Sequence, residues 1–292
     1  MNQAAGKSIK REAPIVSIEP VLQLENLYIC ADKGKEHRLL VKDLSLVIRP
    51  GETFALVGES GSGKSVTASA VLGLLPHNLQ VTEGHILLSG EDIGRLPDKK
   101  RRKLRGSKIG FVFQDYQSSF TPFIKLGAQL IETLRSHRSC SRKEAKQAAL
   151  EWLEQAGLPA ERVYESYPFQ LSGGQLQRAA MASAMMLEPA LLIADEPTTA
   201  LDVLAGERVL DLLAKLQAKT ACAVLLISHD LRHVMKRADT VAVMRHGQLL
   251  EQNRADRMER DAGHPYTRML LEAKPDLMEL ERMHQSTLSA EA

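Results

Sequence analysis

The sequence predicts an α/β fold with a mixed, mostly parallel sheet, an antiparallel β-layer ahead of it and a helical insert in its middle. Three observations carry this. Continuous apolar runs recur along the chain (Thr53 to Val57, Ala190 to Ala194, Ala221 to Ile227, Thr240 to Met244), with helical stretches such as Arg208 to Lys219 between them. Such runs are the pattern of parallel strands buried on both faces. Ahead of the first run, Leu22 to Ile29 alternates apolar and polar residues and Leu39 to Ile48 carries a second strand pattern, ended by Pro50-Gly51. Between residues of about 115 and 187 the spacing becomes helical.

Composition sets the limits. A chain of 292 residues accommodates one large α/β domain or two small ones, and 44% hydrophobic with 25% charged residues is ordinary for a globular protein. The net charge of +2 gives no reason to expect nucleic acid as a partner. No apolar run is long enough to cross a bilayer, and the polar start, Met1 to Glu19, lacks the apolar centre of a secretion signal. Cys30, Cys140 and Cys222 have no metal-type spacing and are expected as free thiols in a reducing cytoplasm.

In chain order, residues 1–19 are expected to form a flexible tail. Ala31 to Glu36, with Gly34, is a polar turn between the first two strands. Thr53 to Val57 leads into a glycine-rich loop, and Val66 to Leu75 is expected as a helix stopped by Pro76. Gly84 to Gly90 supplies a hairpin segment to the antiparallel layer. Lys99 to Arg105 is the densest charge run, read as a solvated helix face because Glu91, Asp92 and Asp98 flank it. Lys108 to Phe113 is a strand, and Leu126 to His137 a helix. Ser141-Arg142-Lys143-Glu144 is a capping box opening a helix whose apolar face includes Trp152 and which Gly157 and Pro159 end. A further helix follows Leu171-Ser172-Gly173-Gly174-Gln175 and runs through Leu187.

The chemistry centres on Gly58-Glu59-Ser60-Gly61-Ser62-Gly63-Lys64-Ser65, which matches G-x-x-x-x-G-K-[ST] at every required position between a strand and a helix. The glycines let successive backbone N–H groups curl around phosphate oxygens, and the helix start through Val66 adds its positive end. Lys64 is expected to reach the β- and γ-phosphates of a bound nucleotide, and the Ser65 hydroxyl to bind Mg²⁺. In a parallel sheet, ligands bind at the carboxyl ends of strands. Asp195-Glu196 and Ser228-His229 both follow strand ends, so they can converge on this loop. Alone, Asp195 reads equally as a turn cap, Glu196 as surface charge and His229 as a structural histidine. Two adjacent acids ending a buried strand are nevertheless costly unless paired or bound to metal.

The set Gly58–Ser65, Gln114, Leu171–Gln175, Asp195-Glu196, Ala200-Leu201-Asp202 and His229, in this order, resembles the ATP-binding subunit of ABC transporters over residues of about 22 to 252. The resemblance implies a P-loop NTPase with an antiparallel β-subdomain and an α-helical signature subdomain (about 115–187), within an ABC ATPase domain at 20–255. It implies Glu196 as general base, His229 as the switch histidine on the γ-phosphate, Lys64 as the phosphate contact, and Ser65, Gln114 and Asp195 around Mg²⁺. Leu171, Ser172, Gly173, Gly174 and Gln175 resemble the signature that caps ATP on an opposite subunit, and Ala200-Leu201-Asp202 the D-loop. Each subunit would then hold half of each site, so the active form is expected to be a dimer. The family usually carries an aromatic on its first strand to stack on adenine; here that slot holds Ala31 or Cys30, and Tyr28 lies on the opposite strand face.

Gly73-Leu74-Leu75-Pro76, Ala194 to Val203 and His264-Pro265-Tyr266-Thr267 resemble the dipeptide/oligopeptide/nickel importer branch, with 256–292 as its C-terminal extension. This implies the first of two unlike ATPase subunits, hence a heterodimer with a different ATPase. It also implies two integral-membrane permeases, an extracytoplasmic solute-binding protein acting indirectly, and a peripheral place on the cytoplasmic face of the inner membrane. No cysteine follows Cys222, so the iron–sulfur cluster of many peptide members is absent, which leans toward nickel or metal-chelate members. Asp115 to Phe123 would form, with the helical insert, a groove for a permease's coupling helix. The alternatives are a soluble ABC ATPase of DNA repair or translation, which would usually carry a long coiled coil or two cassettes, and a regulator that binds ATP without hydrolysis, which intact Glu196 and His229 argue against.

Overall fold

The structure, a computed structural model, describes residues 19–33, 36–199 and 203–272. The expected N-terminal tail thus lies outside the described residues apart from Glu19, as does the end of the C-terminal extension beyond Glu272.

The chain begins with two long paired strands, β1 (Leu22–Lys33) and β2 (Glu36–Ile48). Both strands run into the stretch read as a polar turn, Ala31 to Glu36; residues 34 and 35, with Gly34, are outside the described residues. Strand β3 (Thr53–Val57) then leads through the glycine loop into α1 (Lys64–Leu72). Helix α1 ends earlier than expected. Gly73 takes φ 65°, and the N–H groups of Gly73 and Leu74 donate to the carbonyls of Ala70 and Ser69. A left-handed glycine closes the helix before Pro76 can act.

Strand β4 (Leu79–Leu88) returns antiparallel to β1, and the short β5 (Glu91–Asp92) adds an edge. These make a four-stranded antiparallel layer in the order β2-β1-β4-β5. Helix α2 (Asp98–Leu104) carries the basic run. It is not wholly a solvated face. Arg101 donates to the Ala70 carbonyl at 2.7 Å, and Arg105 to those of Leu72 and Gly73 at 3.2 and 3.3 Å. Two of the charges thus donate to carbonyls at the end of α1, Arg101 as a second donor to Ala70 beside Gly73 N–H and Arg105 to Leu72 and Gly73.

After β6 (Ile109–Val112) the chain becomes helical, with α3 (Leu126–His137), α4 (Arg142–Gln155), α5 (Ala160–Glu165) and α6 (Gly173–Met185). The capping box at α4 forms in both directions: Glu144 N–H donates to Ser141 Oγ and Ser141 N–H to Glu144 Oε2. Trp152 is 5% exposed and belongs to the core, which answers why a lone tryptophan stands there. The remainder is β7 (Leu191–Asp195), α7 (Val203–Thr220), β8 (Ala223–Ser228), α8 (Leu231–Arg237), β9 (Thr240–Arg245), β10 (Gln248–Arg254), α9 (Ala255–Asp261) and α10 (Pro265–Glu272).

The second sheet has the order β10-β9-β3-β8-β7-β6, parallel except for β10 on β9. Along β3, Phe54 and Leu56 face a core shared with the antiparallel layer, whereas Ala55 and Val57 face one shared with the helices. Both faces are covered, which explains the unbroken apolar runs. The register sets Val57 beside Ser228 and Asp195 beside Ile227, so three strands end at one level.

Candidate active site

Chain segments remote in sequence meet at that level. A cleft of about 770 Å³ is lined by Gly58–Gly61, Gly63–Val66, Gln114, Glu196, Thr199 and His229, and by Arg38, Leu40, Val57 and Leu270. Every loop position of the motif except Ser62 lines it; Ser62 is buried, and its Oγ accepts from Lys64 Nζ at 3.4 Å.

Local sequence makes the loop. Gly63 has φ 109°, and Gly58 has no room for a side chain, since an added Cβ would stand 2.0 Å from the Met244 carbonyl oxygen of β9. No side chain caps the N-terminus of α1, so its first N–H groups point at the cleft free of side-chain acceptors. Lys64 is 5% exposed, and its ammonium donates to the carbonyls of Gly58 at 2.7 Å and Glu59 at 3.0 Å. Burial pulls its pKa below the usual 10.5, with the charges of Glu196 and Asp195 opposing.

Ser65 Oγ donates to Asp195 Oδ1 at 3.1 Å across 130 residues of sequence. Asp195 is buried, and that burial, with the neighbouring Glu196 charge, raises its pKa above 3.8 against the pull of Ser65 and Lys64. A hydroxyl and a buried carboxylate at this separation are hard oxygen donors suited to a magnesium ion, which takes one or two protein ligands and completes its shell from phosphates and water. Among the described residues no three His, Cys, Asp or Glu side chains group as a metal cage.

Glu196 is held tightly. Its φ is 51°, a left-handed conformation rare for glutamate, sustained by its N–H donating to the Ile227 carbonyl at 2.9 Å and by Thr199, whose N–H and Oγ1 donate to its carbonyl and carboxylate. His229 Nδ1 lies 2.5 Å from Glu196 Oε2. The carboxylate is 15% exposed and the histidine 60%, so the pair has one buried and one open member. Gln114, exposed, lines the same cleft.

Other expected residues are elsewhere. Leu171 to Gln175 do not line this cleft. Ser172 caps α6 in a reciprocal box with Gln175, and Gly174 faces open space. Ala200, Leu201 and Asp202 lie outside the described residues. Tyr28, Cys30 and Ala31 are absent from the cleft wall, and Cys30 and Ala31 are buried. Sequence reading missed Thr199, Arg38, Leu40 and Leu270, and also Gln177. That side chain is buried on α6 and donates to the Pro197 carbonyl, tying the Ser172 helix to the segment after Glu196. No local pattern gives any of them a role in the site, although Thr199 and Leu270 fall in stretches that carry the branch resemblance.

A glycine loop between a parallel strand and a helix, with a serine hydroxyl, a paired acid and a histidine at neighbouring strand ends, defines a P-loop nucleotide-binding protein. The ABC transporter family model matches residues 41–199. The chain is 42% identical over 263 residues to the dipeptide transport ATP-binding protein DppD of Bacillus subtilis, covering 89% of this chain and 78% of that one. It is 40% identical over 259 residues to the oligopeptide transport ATP-binding protein OppD of Lactococcus lactis, covering 88% and 76%. Among solved structures, the ATP-binding cassette MJ0796 in a dimeric state with ADP and Pi superposes with TM-score 0.71 and 31% identity over 80% of this chain and 98% of that one. CbiO1 of Clostridium perfringens, part of the transporter complex cbiONQ, gives TM-score 0.71 and 25% identity over 83% and 92%. The chain belongs to the ABC transporter family, as an ATPase of the cassette fold.

Proposed function

We propose that this chain is the ATP-hydrolysing subunit of an ABC importer for peptides, working on the cytoplasmic face of the membrane as one of two unlike ATPases against two permeases. The observation that carries the catalytic half is the meeting of Lys64, Ser65, Asp195, Glu196 and His229 at one strand level. DppD and OppD, named for dipeptide and oligopeptide transport, favour peptides over metal chelates. Among the described residues no helix is long and apolar enough to cross a membrane.

Phosphoryl transfer needs positioning and charge neutralisation more than covalent chemistry. Loop N–H groups and Lys64 take the β- and γ-phosphates. Ser65 and Asp195, with Gln114 at the cleft wall, would hold Mg²⁺, which neutralises charge on the phosphates. Glu196 orients and deprotonates the attacking water, and His229 fixes that carboxylate while facing the γ-phosphate. Ser172 to Gln175, remote from this cleft, offer a capped helix start to the ATP of a partner subunit, so two chains close over nucleotide. Exposed Phe113, Phe123 and Phe169 and the groove between Leu74, Phe111 and Phe120 form a seat for a permease helix.

The test is co-purification of the tagged chain from gently solubilised membranes with the accompanying chains identified, together with ATP turnover of the purified assembly. Two permeases and a second ATPase are expected, with turnover stimulated by a peptide-loaded binding protein. Recovery with ribosomes or DNA instead would overturn the importer reading.

A further inference from the structure

The cleft has a phosphate end and an end with no assigned occupant. Among the described residues no aromatic side chain lines the cleft. Apart from the phosphate loop, Val57 and the residues after the other strand ends, the cleft is lined by Arg38 and Leu40 of β2 and Leu270 of α10. A purine base is flat, apolar on its faces and unwilling to stay in water, so a site that binds ATP tightly needs a surface against one face.

From these walls we propose that Arg38 is the base-binding residue, its guanidinium lying flat on the adenine ring. This rests on the ATPase reading above and adds a residue to it. Three observations support it. First, β2 is fixed relative to the phosphate loop. The Leu40 carbonyl oxygen stands 3.0 Å from where a Cβ on Gly63 would be, and Lys42 N–H donates to the Gly247 carbonyl at 2.7 Å. Second, Arg38 is two residues from Leu40 and shares its strand face, which moves it about 6–7 Å outward from the loop along the cleft wall. That is the direction in which ribose and base must extend once the phosphates occupy the loop. Third, Arg38 pairs directly across the β1–β2 ladder with Ala31, whose buried methyl leaves the neighbouring space to the longer side chain. Arg38 is exposed, and among the described residues it makes no hydrogen bond or ion pair that would hold it elsewhere. A guanidinium is planar, permanently charged and weakly hydrated, and it stacks on ring faces where a lysine ammonium does not.

The experiment is calorimetric titration of the full chain, in a Glu196→Gln background that stops hydrolysis, with ATP and separately with inorganic tripolyphosphate. Arg38→Ala is expected to raise the Kd for ATP about 5–30-fold while leaving tripolyphosphate binding unchanged. Arg38→Phe should restore ATP affinity, and Arg38→Lys should not. Unchanged ATP affinity in Arg38→Ala overturns the proposal. An equal loss for tripolyphosphate overturns it too, since Arg38 would then be reading phosphate charge. Absence of ATP binding in the Arg38-intact chain would mean instead that the nucleotide reading itself had failed. Thermal unfolding of each variant checks that the strand is intact.

Discussion

His229 Nδ1 and Glu196 Oε2 form one hydrogen-bonded pair at 2.5 Å, although the residues follow the ends of different strands, β8 and β7, and are 33 positions apart. The left-handed backbone of Glu196 and the donation from Thr199 aim the carboxylate at the cleft, and the exposed imidazole completes its setting. Two residues so joined act as a unit, and their losses do not add. Glu196→Gln is expected to lower kcat about 10²–10⁴-fold with ATP affinity retained. His229→Ala should lower kcat as well, and the double variant should be little worse than Glu196→Gln alone. Steady-state turnover and nucleotide titration of the three proteins decide this; losses that multiply would show two independent roles.

Burial of Lys64 and Asp195 makes the site costly in the absence of nucleotide. Asp195 has a folded pKa raised above 3.8, so its contribution to stability is fully present below pH 3.8 and is lost as pH rises through the folded value. Lys64 has a folded pKa below 10.5, so it costs stability at neutral pH, and that cost is removed as pH climbs from the folded value toward 10.5. Asp195→Asn and Lys64→Met should therefore raise Tm at pH 7 without nucleotide. The gain for Asp195→Asn should shrink as pH falls toward 4. Both variants should lose the extra Tm that ATP with Mg²⁺ confers on the unmodified protein. A lower Tm at pH 7 for both would refute the assignment of cost to burial.

Within the basic run of α2, position decides which charge matters. Arg101→Ala removes the donor to the Ala70 carbonyl at the end of α1 and should cost about 1–2 kcal/mol. Lys99→Ala and Lys100→Ala, on the exposed side, should stay within about 0.5 kcal/mol. Denaturant unfolding of the three variants measures this, and equal effects would restore the view of the run as a uniform solvated face.

The C-terminal helix reports on the phosphate loop. Glu251 accepts from the N–H groups of Gly263 and His264, seating α10 so that the Tyr266 ring is buried under Arg245 at 4.3 Å and beside Glu59. Tyr266→Ala should cost about 3–5 kcal/mol and raise the KM for ATP by loosening the loop. The Tyr266 hydroxyl faces Glu59 but lacks a well-aligned hydrogen bond, so Tyr266→Phe should be as stable as the parent or slightly more so. A Tyr266→Phe loss above about 1 kcal/mol would instead reveal a Tyr266–Glu59 bond worth keeping.

By itself the sequence determined the elements and the phosphate loop. Thr53–Val57 and Leu126–His137 are found where the apolar patterns put them, and the Ser141–Glu144 box forms as spelled. These follow from periodicity and from turn and cap chemistry, which act over a few residues. The acids and the histidine could be nominated because each ends a buried strand. Tertiary structure decided what meets what. The Val57–Ser228 and Asp195–Ile227 register brings Ser65 to Asp195 and His229 to Glu196. It also reassigned Arg101 and Arg105 from solvent to the end of α1, tied Gln177 to Pro197, and made Arg38 part of the cleft wall in place of Tyr28 or Cys30. Strand pairing and helix docking are long-range choices set by burial of whole faces, so a local pattern names the elements without naming their partners.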